Sequence, residues 1–309
     1  MGDHFLIIGA TLLDSKGKPR AGLEPGTSNP ARIRHTRGGT ARNVAENLAC
    51  FGAEVKLLSA VGEDHTGRQL MAQTAEAGVD VSEVQIISGE RTGSYMAILD
   101  EEGSLSVALD DVSIMSHISS AYLYQNRRLF RDACMIMFDG SMDEAAIAMA
   151  VRLAAKYDVP ICADPSSSRL AYKLKDHLSQ LHLVVPNEVE AAALSEVDFS
   201  GYDPDASLEV ALILMRSGVD TVIVTLSDFG LVYSTSDETG YIPARYGEIV
   251  DSTGSGDSVT AAVMFGMVND FPITEAIRLG AAAGSLTLQT GETVVPDLSL
   301  DMLYDHLIV

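Results

Sequence analysis

Residues 251–257, Asp-Ser-Thr-Gly-Ser-Gly-Asp, are the stretch whose residue types and spacing most directly predict chemistry. The two glycines around Ser255 permit a tight turn with exposed amides, and the apolar run that follows predicts a helix. A helix N-terminus adds unpaired N–H groups and a partial positive charge, a combination that suits an anion, phosphate above all. Asp257 then has two open interpretations: a plain helix cap, or a base that takes a proton from an attacking hydroxyl.

A second glycine pair, Gly38-Gly39, leads into another predicted helix with an apolar face. Asn43 lies in the first turn of that helix, where its side chain either bonds a sugar hydroxyl or ties down the turn. Upstream, the apolar residues 5–8 predict a buried strand, and Asp14 follows that strand within a few residues. The end of a strand in an open α/β sheet would deliver such a side chain to a cleft.

Polar groups follow several predicted strands in series along the chain. They stand at Asp139, Asp164, Asn187 and Thr225. Each of them alone is a common helix cap, but in series they indicate a ligand site at the edge where parallel strands end. The alternation of strands with helices predicts an α/β fold built from βαβ units.

Two stretches interrupt that alternation. Residues 14–35 are polar, and residues 92–109 alternate at period two around an acidic turn, which predicts a hairpin. A hairpin set among crossover units cannot easily join a parallel core, so we expect a small separate sheet. The sequence leaves open whether this sheet closes as a lid or is a fixed edge hairpin. Another hairpin, over residues 231–243, is expected at the edge of the main sheet.

The chain has 309 residues, is 47% hydrophobic and carries a formal net charge of -22. This charge disfavours nucleic acid and anionic membranes as partners, because such binding depends on cationic patches. An anionic ligand must therefore be held by local amides and a metal ion. The three cysteines lie in apolar surroundings, and the chain shows neither a signal peptide nor a membrane-spanning stretch. These features predict a cytoplasmic protein with reduced thiols.

These motifs resemble those of the ribokinase-like carbohydrate and nucleoside kinases, the PfkB family. The resemblance rests on Gly38 to Asn43 with Gly62-Glu-Asp64, on the loop 251–257, and on the pair Asn187 and Glu190. Nearly the whole chain takes part. The resemblance implies an α/β, ribokinase-like fold, a single domain over residues 1–309 with a mainly parallel central sheet flanked by helices. The lid would be a small β-sheet built from about residues 12–36 and 90–112.

The resemblance also implies roles for individual residues. Asp257 would deprotonate the substrate hydroxyl, and the transferring phosphoryl would lie on the amides of Gly254, Ser255 and Gly256. Substrate hydroxyls are expected at Asp14, Gly38, Gly39 and Asn43, and a nucleobase near Thr27, Ser28 and Asn29. ATP is the implied phosphoryl donor, with a nucleotide site at Thr225, Ser227 and Gly230. Mg²⁺ and its waters would be arranged by Asn187 and Glu190. A monovalent cation such as K⁺ would lie at Asp251 and the backbone near Gly291.

Within the family, the chain most resembles the pseudouridine kinases, on residues 25–30, 41–47, 99–103, 163–165 and 286–296. This likeness implies ATP-dependent phosphorylation of the 5′-hydroxyl of a nucleoside, with pseudouridine as the expected acceptor. The alternative acceptors are ribose, a hexose or a purine nucleoside. The alternative of another class is a nucleotide-binding homologue without catalysis. The exposed face of the lid hairpin could pair with a second copy of the chain, giving a homodimer as in some family members.

Five positions depart from the family pattern, and two of them, Ser252 and Ser255, are mild replacements of the usual threonine and alanine. Leu12 stands where many members have asparagine, which bears on sugar recognition. Val295 stands where a pseudouridine kinase is expected to have asparagine, which bears on the cation site or on the subfamily. Ser227 replaces a glycine, and we expect backbone strain there if the turn requires a positive φ.

Overall fold

The structure is a computed structural model, and it describes residues 2–102, 105–197, 203–245 and 247–307. Within these ranges the strands are β1 (His4–Ile8), β2 (Leu12–Pro19), β3 (Ala31–Gly38), β4 (Val55–Leu58), β5 (Ala60–Gly62), β6 (Gln85–Ile87), β7 (Ser94–Leu99), β8 (Leu105–Asp111), β9 (Ala133–Asp139), β10 (Ile161–Asp164), β11 (Leu183–Val184), β12 (Thr221–Thr225), β13 (Leu231–Ser234) and β14 (Thr239–Ile242). The helices are α1 (Thr40–Cys50), α2 (His65–Glu76), α3 (Ser120–Gln125), α4 (Arg127–Asp132), α5 (Glu144–Tyr157), α6 (Ser168–Ala171), α7 (Glu188–Ser195), α8 (Pro204–Arg216), α9 (Ser255–Val268), α10 (Ile273–Leu288) and α11 (Leu300–Asp305). The predicted turn of the lid hairpin includes residues 103–104, which lie outside the described residues.

The main sheet has the strand order β14-β13-β12-β11-β10-β9-β1-β4. Neighbours run parallel from β12 to β4, whereas β13 and β14 pair antiparallel and form the predicted edge hairpin. Every residue of β1 is buried, as expected for a strand of a parallel sheet covered on both faces. The predicted mainly parallel α/β fold is confirmed.

Helices cover the main sheet on both faces. Leu6 and Ile8 of β1 belong to the apolar core under α3 to α8, and Phe5 and Ile7 belong to the core under α1, α9, α10 and α11. Residues that alternate along a strand point to opposite faces, so one strand serves both cores. The helices α1 and α9 carry the two predicted glycine turns, and they lie in the same layer, which brings those turns to one side of the sheet.

The two stretches that interrupt the alternation form a second sheet, ordered β3-β2-β7-β8. We call it the small sheet. Asp14 aligns with Thr36 and Tyr95 across the strands, and Lys16 lies on the same face of β2. The opposite face carries exposed apolar side chains, namely Ile33, Met96, Val107 and Leu109. The small sheet therefore has one polar face and one apolar face.

Two findings bear on the environment of the chain. None of the described helices combines the length and the apolar composition needed to cross a membrane. Cys50, Cys134 and Cys162 are free thiols.

Candidate active site

The loop before α9 has the shape that its glycines predict. Gly254 is the N-cap residue of α9 with φ 84°, a left-handed conformation that favours glycine. A side chain there would overlap the carbonyl of Thr293, and no side chain caps this helix end. Beside Gly256 the space is open. The Ser255 amide donates to the Ser252 carbonyl at 3.3 Å, and the uncapped N-terminus of α9 retains the partial positive charge that suits an anion.

Asp257 lies in the first turn of α9 and is buried. Its Oδ2 accepts a hydrogen bond from Asn43 Nδ2 at 2.5 Å. Burial raises the pKa of Asp257 to about 7, and the negative charges of Asp14 and Asp139 add to the rise, while Asn43 and Arg42 oppose it. A carboxylate with this pKa is partly ionised at neutral pH, as a general base needs to be.

The glycine turn before α1 holds Asp14 against the same centre. Gly38 leaves space for the Asp14 carboxylate, which a side chain at residue 38 would overlap. Gly39 has φ 95° and would clash with the carbonyl of Ala10 if it carried a Cβ. Burial raises the pKa of Asp14 to about 6, against the nearby positive charges of Lys16 and Arg42. The structure thus brings Asp14, Gly38, Gly39, Asn43 and Asp257 together.

Arg42 is a fully buried cation that joins the parts of this centre. Its guanidinium donates from Nε to the Gly38 carbonyl at 2.9 Å and from Nη2 to Thr293 Oγ1 at 2.9 Å. It also bonds the Asn43 side-chain oxygen and forms an ion pair with buried Glu46 at 2.7 Å. Arg42 therefore orients the amide of Asn43 and links the glycine turn to the segment that packs on Gly254.

A third group of acids lies at the ends of the next strands. Asn187 and Glu190 form a capping box at the start of α7, with both bonds at 2.9 Å. Burial raises the pKa of Glu190 to about 7, and Asp257 contributes. Asp164, at the end of β10, has a pKa raised well above its usual range by burial and by the charges of Glu190 and Asp257. The pair that resembles a magnesium motif is thus a helix cap and also a neighbour of the predicted base.

These acids fit a hydrated Mg²⁺ better than a bare ion. The donors are hard oxygens, which Mg²⁺ prefers, and they are buried with a surplus of negative charge. In the described part of the chain, no three His, Cys, Asp or Glu side chains come close enough to form a complete metal cage. Mg²⁺ commonly keeps several waters and binds through one or two carboxylates and substrate phosphates, which suits this arrangement.

A groove runs from the anion loop along the edge hairpin. Thr225, Ser227 and Gly230 line its inner part together with Ser255 of the anion loop. An adjoining cavity of ≈ 250 Å³ is walled by exposed apolar side chains, among them Phe229, Tyr241 and Ile249. Ser227 has φ 53°, so the anticipated left-handed conformation is found. The residues predicted for the nucleotide site therefore lie beside the predicted phosphate site.

The predicted cation loop is in contact with a lysine. Lys16 Nζ lies 2.5 Å from Asp251 Oδ2 and 2.5 Å from Thr253 Oγ1. The other oxygen of Asp251 accepts from the Thr253 amide at 2.9 Å. Both carboxylate oxygens thus make contacts within the chain, and the place beside Oδ2 is taken by an ammonium group.

The predicted nucleobase residues lie apart from the rest. Thr27 and Ser28 are exposed in the connection between β2 and β3, at the far end of that hairpin from Asp14. Asn29 uses its amide within the connection, accepting from Glu24 N at 2.8 Å and donating to the Thr27 carbonyl at 3.1 Å. In this conformation the structure does not bring these residues to the Asp257 centre.

Comparison with known proteins identifies the family. The model for pfkB family carbohydrate kinases matches residues 3–299. The chain belongs to the pfkB family. Pseudouridine kinase of Escherichia coli strain K12 is 35% identical over 96% of this chain and 94% of its own length. Guanosine-inosine kinase of Exiguobacterium acetylicum is 27% identical over 97% of this chain and 99% of its own length. The ribokinase of Arabidopsis thaliana, solved with ribose and ATP, has a TM-score of 0.83 at 20% identity over 100% of both chains, which shows a shared fold.

In this pfkB kinase, sequence reasoning missed three kinds of residue. Arg42 lies between the glycine pair and Asn43, yet nothing in the local pattern shows that it is buried. The strand-end acids Asp139 and Asp164 stand out in the sequence only as members of a series, whereas in the structure Asp139 accepts from the amides of Ala10 and Ala41 and so ties the turn after β1 to the start of α1. The apolar walls of the groove come from separate elements, so no sequence window contains them.

Proposed function

We propose that this pfkB kinase transfers the terminal phosphoryl group of ATP to the 5′-hydroxyl of a nucleoside, with pseudouridine as the preferred acceptor. The observation that carries the proposal is the buried Asp257 carboxylate, held by Asn43 at the uncapped N-terminus of α9. A base and a set of anion-binding amides are thereby adjacent. The likeness to the pseudouridine kinase of Escherichia coli supports the choice of acceptor.

The acceptor would be held by the polar side of the centre. Asp14 and Asn43 are buried polar groups next to the glycine turn, and both suit the hydroxyls of a ribose. Asn43 occupies Oδ2 of Asp257. We assign Oδ1 to the 5′-hydroxyl, whose proton passes to the carboxylate as the oxygen attacks.

The migrating phosphoryl group would lie on the amides of residues 254–256. In such a transition state charge spreads over the equatorial oxygens, and fixed N–H groups stabilise it without reorganisation. The partial positive charge of the α9 N-terminus acts in the same direction. Closure of the small sheet over the acceptor would exclude water and so limit hydrolysis of ATP.

ATP would lie in the groove beside the anion loop, with its base between the apolar walls at Phe229 and Tyr241. The Arabidopsis ribokinase of the same fold was solved with ATP, which supports this donor. Bound Mg²⁺ supplies neutralisation of the phosphate charge. Glu190 and Asp164 would hold it through water, with Asn187 keeping Glu190 in place.

A substrate panel tests the proposal. The chain is incubated with ATP, Mg²⁺ and, in turn, pseudouridine, uridine, inosine, ribose and fructose, and ADP release is measured. We expect the highest kcat/KM for pseudouridine, with a product whose ³¹P coupling places the phosphate on the 5′ carbon. A clear preference for a free sugar or a purine nucleoside would reject the acceptor but keep the reaction. Nucleotide binding with no turnover on any acceptor would reject the reaction itself.

We also infer that two copies of the chain pair through the small sheet. Val107, Leu109 and Met96 lie on its outer face and are exposed. Apolar residues at alternating positions of an edge region are unusual on a monomer surface and suit burial against a like face. A symmetric dimer would cover this face in both copies at once.

A further inference from the structure

Lys16 is a charged link between the small sheet and the anion loop. It lies on β2, on the same face as Asp14, and the side chain crosses to the segment before α9. The ammonium group contacts both Asp251 and Thr253 at 2.5 Å. The side chains of Lys16 and Asp251 are only 11% and 18% exposed, so this pair is shielded from solvent far more than an ordinary surface salt bridge.

The neighbouring strand places a second cation on the segment that follows α10. Arg34 of β3 is paired in register with Lys16. Its guanidinium packs so closely on Gly291 that a Cβ at that position would be 2.6 Å from Nη2, and it lies 3.8 Å from Glu292. The small sheet therefore presents positive charge to both segments that were predicted to surround a monovalent cation.

The charge balance of the region explains why a cation is needed there. Asp14, Asp251 and Asp257 lie around the anion loop, and the chain as a whole carries a net charge of -22. ATP brings further negative charge to the same place. A positive group next to Asp251 lowers the electrostatic cost of binding the phosphates.

We infer that the Lys16 ammonium is the resident cation of the loop at Asp251, and that it makes the enzyme independent of K⁺. The ammonium takes the carboxylate oxygen that a free ion would need. Because the cation belongs to the small sheet, docking of that sheet also sets the anion loop in place. Lys16 is thus a positioning residue, which acts on the phosphate through Asp251 and Thr253.

The test removes the Lys16 ammonium group by mutation and supplies a free monovalent cation in solution. Wild type, Lys16→Met and Lys18→Met are compared in chlorides of K⁺, Na⁺ and tetramethylammonium at about 0.1 M, which keeps ionic screening equal. Lys18 is a matched control because it lies on the same strand and is exposed. Wild type and Lys18→Met should have the same kcat in all salts to within about twofold. Lys16→Met should lose about tenfold or more in tetramethylammonium and recover part of this loss in K⁺.

The melting temperature gives a readout that needs no acceptor. K⁺ should raise the melting temperature of Lys16→Met above its value in tetramethylammonium, and should leave wild type unchanged, because only the variant has an open site. The kcat measurement rests on the proposed function, but the melting temperature does not. Failure of the proposed function is therefore distinguishable from failure of the inference about Lys16. If Lys16→Met folds poorly, Lys16→Arg is the second variant to compare. It keeps the positive charge and should behave as wild type. A wild type that requires K⁺, or a Lys16→Met variant with no response to K⁺ in either readout, would overturn the inference.

Discussion

Burial of Asp257 makes the carboxylate a suitable base, and it also lowers the stability of the folded state when the carboxylate is ionised. Removal of the carboxylate from water raises its pKa to about 7, so a fraction of the protein holds the acid ionised at neutral pH. Asn43 and Arg42 stabilise the ionised form and limit the rise. The same burial makes the charged form unfavourable for the folded state. Catalysis and stability therefore place opposite demands on this residue.

Asp257→Asn should abolish turnover and stabilise the fold above neutral pH. We expect kcat to fall by about 10³-fold or more, since proton removal by a positioned base contributes on that order. Asp257 has a higher pKa folded than unfolded, so wild-type stability falls as pH rises from about 4 to about 7 and the loss is complete above that. The variant lacks this loss, so at pH above about 7 its urea midpoint should exceed that of wild type. Glu209→Gln, which neutralises an exposed acid in the middle of α8, is the control and should change neither quantity. Undiminished turnover in Asp257→Asn would refute the base assignment.

The pH profile of the wild-type enzyme should follow the same group. Burial raises the pKa of Asp257 and of Glu190 to about 7 in each case. The base must be deprotonated to act, so kcat/KM for the acceptor should fall as the pH drops below about 7, by up to about tenfold per unit. Steady-state rates across the pH range, with melting curves to check folding at each point, measure this. A profile that stays level down to about pH 5 would contradict the raised pKa.

The elements that carry the site do so through their ends. Both glycine turns occur where a strand or loop enters a helix, and α1 and α9 pack on the same face of the sheet. Strand ends supply Asp139 and Asp164, so each acid is held by a buried strand rather than by a free loop. Such supports keep a site within the small tolerances that phosphoryl transfer requires. The turn after β12 also carries a site residue, Ser227, and it is strained, because this serine has φ 53°.

Ser227→Gly should relieve that strain. A non-glycine residue in the left-handed region costs about 1–2 kcal/mol, and the greater freedom of glycine in the unfolded chain offsets part of the gain. We expect the free energy of unfolding to rise by about 0.5–1 kcal/mol, measured from urea unfolding. Ser227→Ala keeps the positive φ without the hydroxyl and should bring no gain. Destabilisation by the glycine variant, with Ser227→Ala near wild type, would show that the turn is not strained.

At the scale of the molecule, the small sheet has two faces with different tasks. Its polar face brings Asp14 and Lys16 to the centre, and its apolar face is left without cover within the described chain. Strands alternate their side chains between faces, so one sheet can meet the substrate on one side and a partner on the other. A dimer would then stabilise the sheet from outside and support the conformation in which it docks on the body.

The paired state is open to direct measurement. We expect wild type to sediment as a dimer at micromolar concentration and Leu109→Asp to sediment as a monomer, because a charge at the centre of an apolar contact is costly to bury. Asp110→Asn, a neighbour on the opposite face of β8, is the control and should remain a dimer. A wild type that is monomeric at all concentrations would contradict the inference about the second copy.

The sequence by itself determined the alternation of strands and helices, the two glycine turns, the separate small sheet and the family. These features are local: a period of apolar residues, or a glycine before a helix, reports its own surroundings. The tertiary structure decided which residues meet. Arg42 is recognised as a hub only when Gly38, Thr293 and Glu46 are folded around it. The raised pKa of Asp257 and the pairing of Lys16 with Asp251, 235 residues away, depend on burial and on contacts between distant segments, which no window of sequence contains.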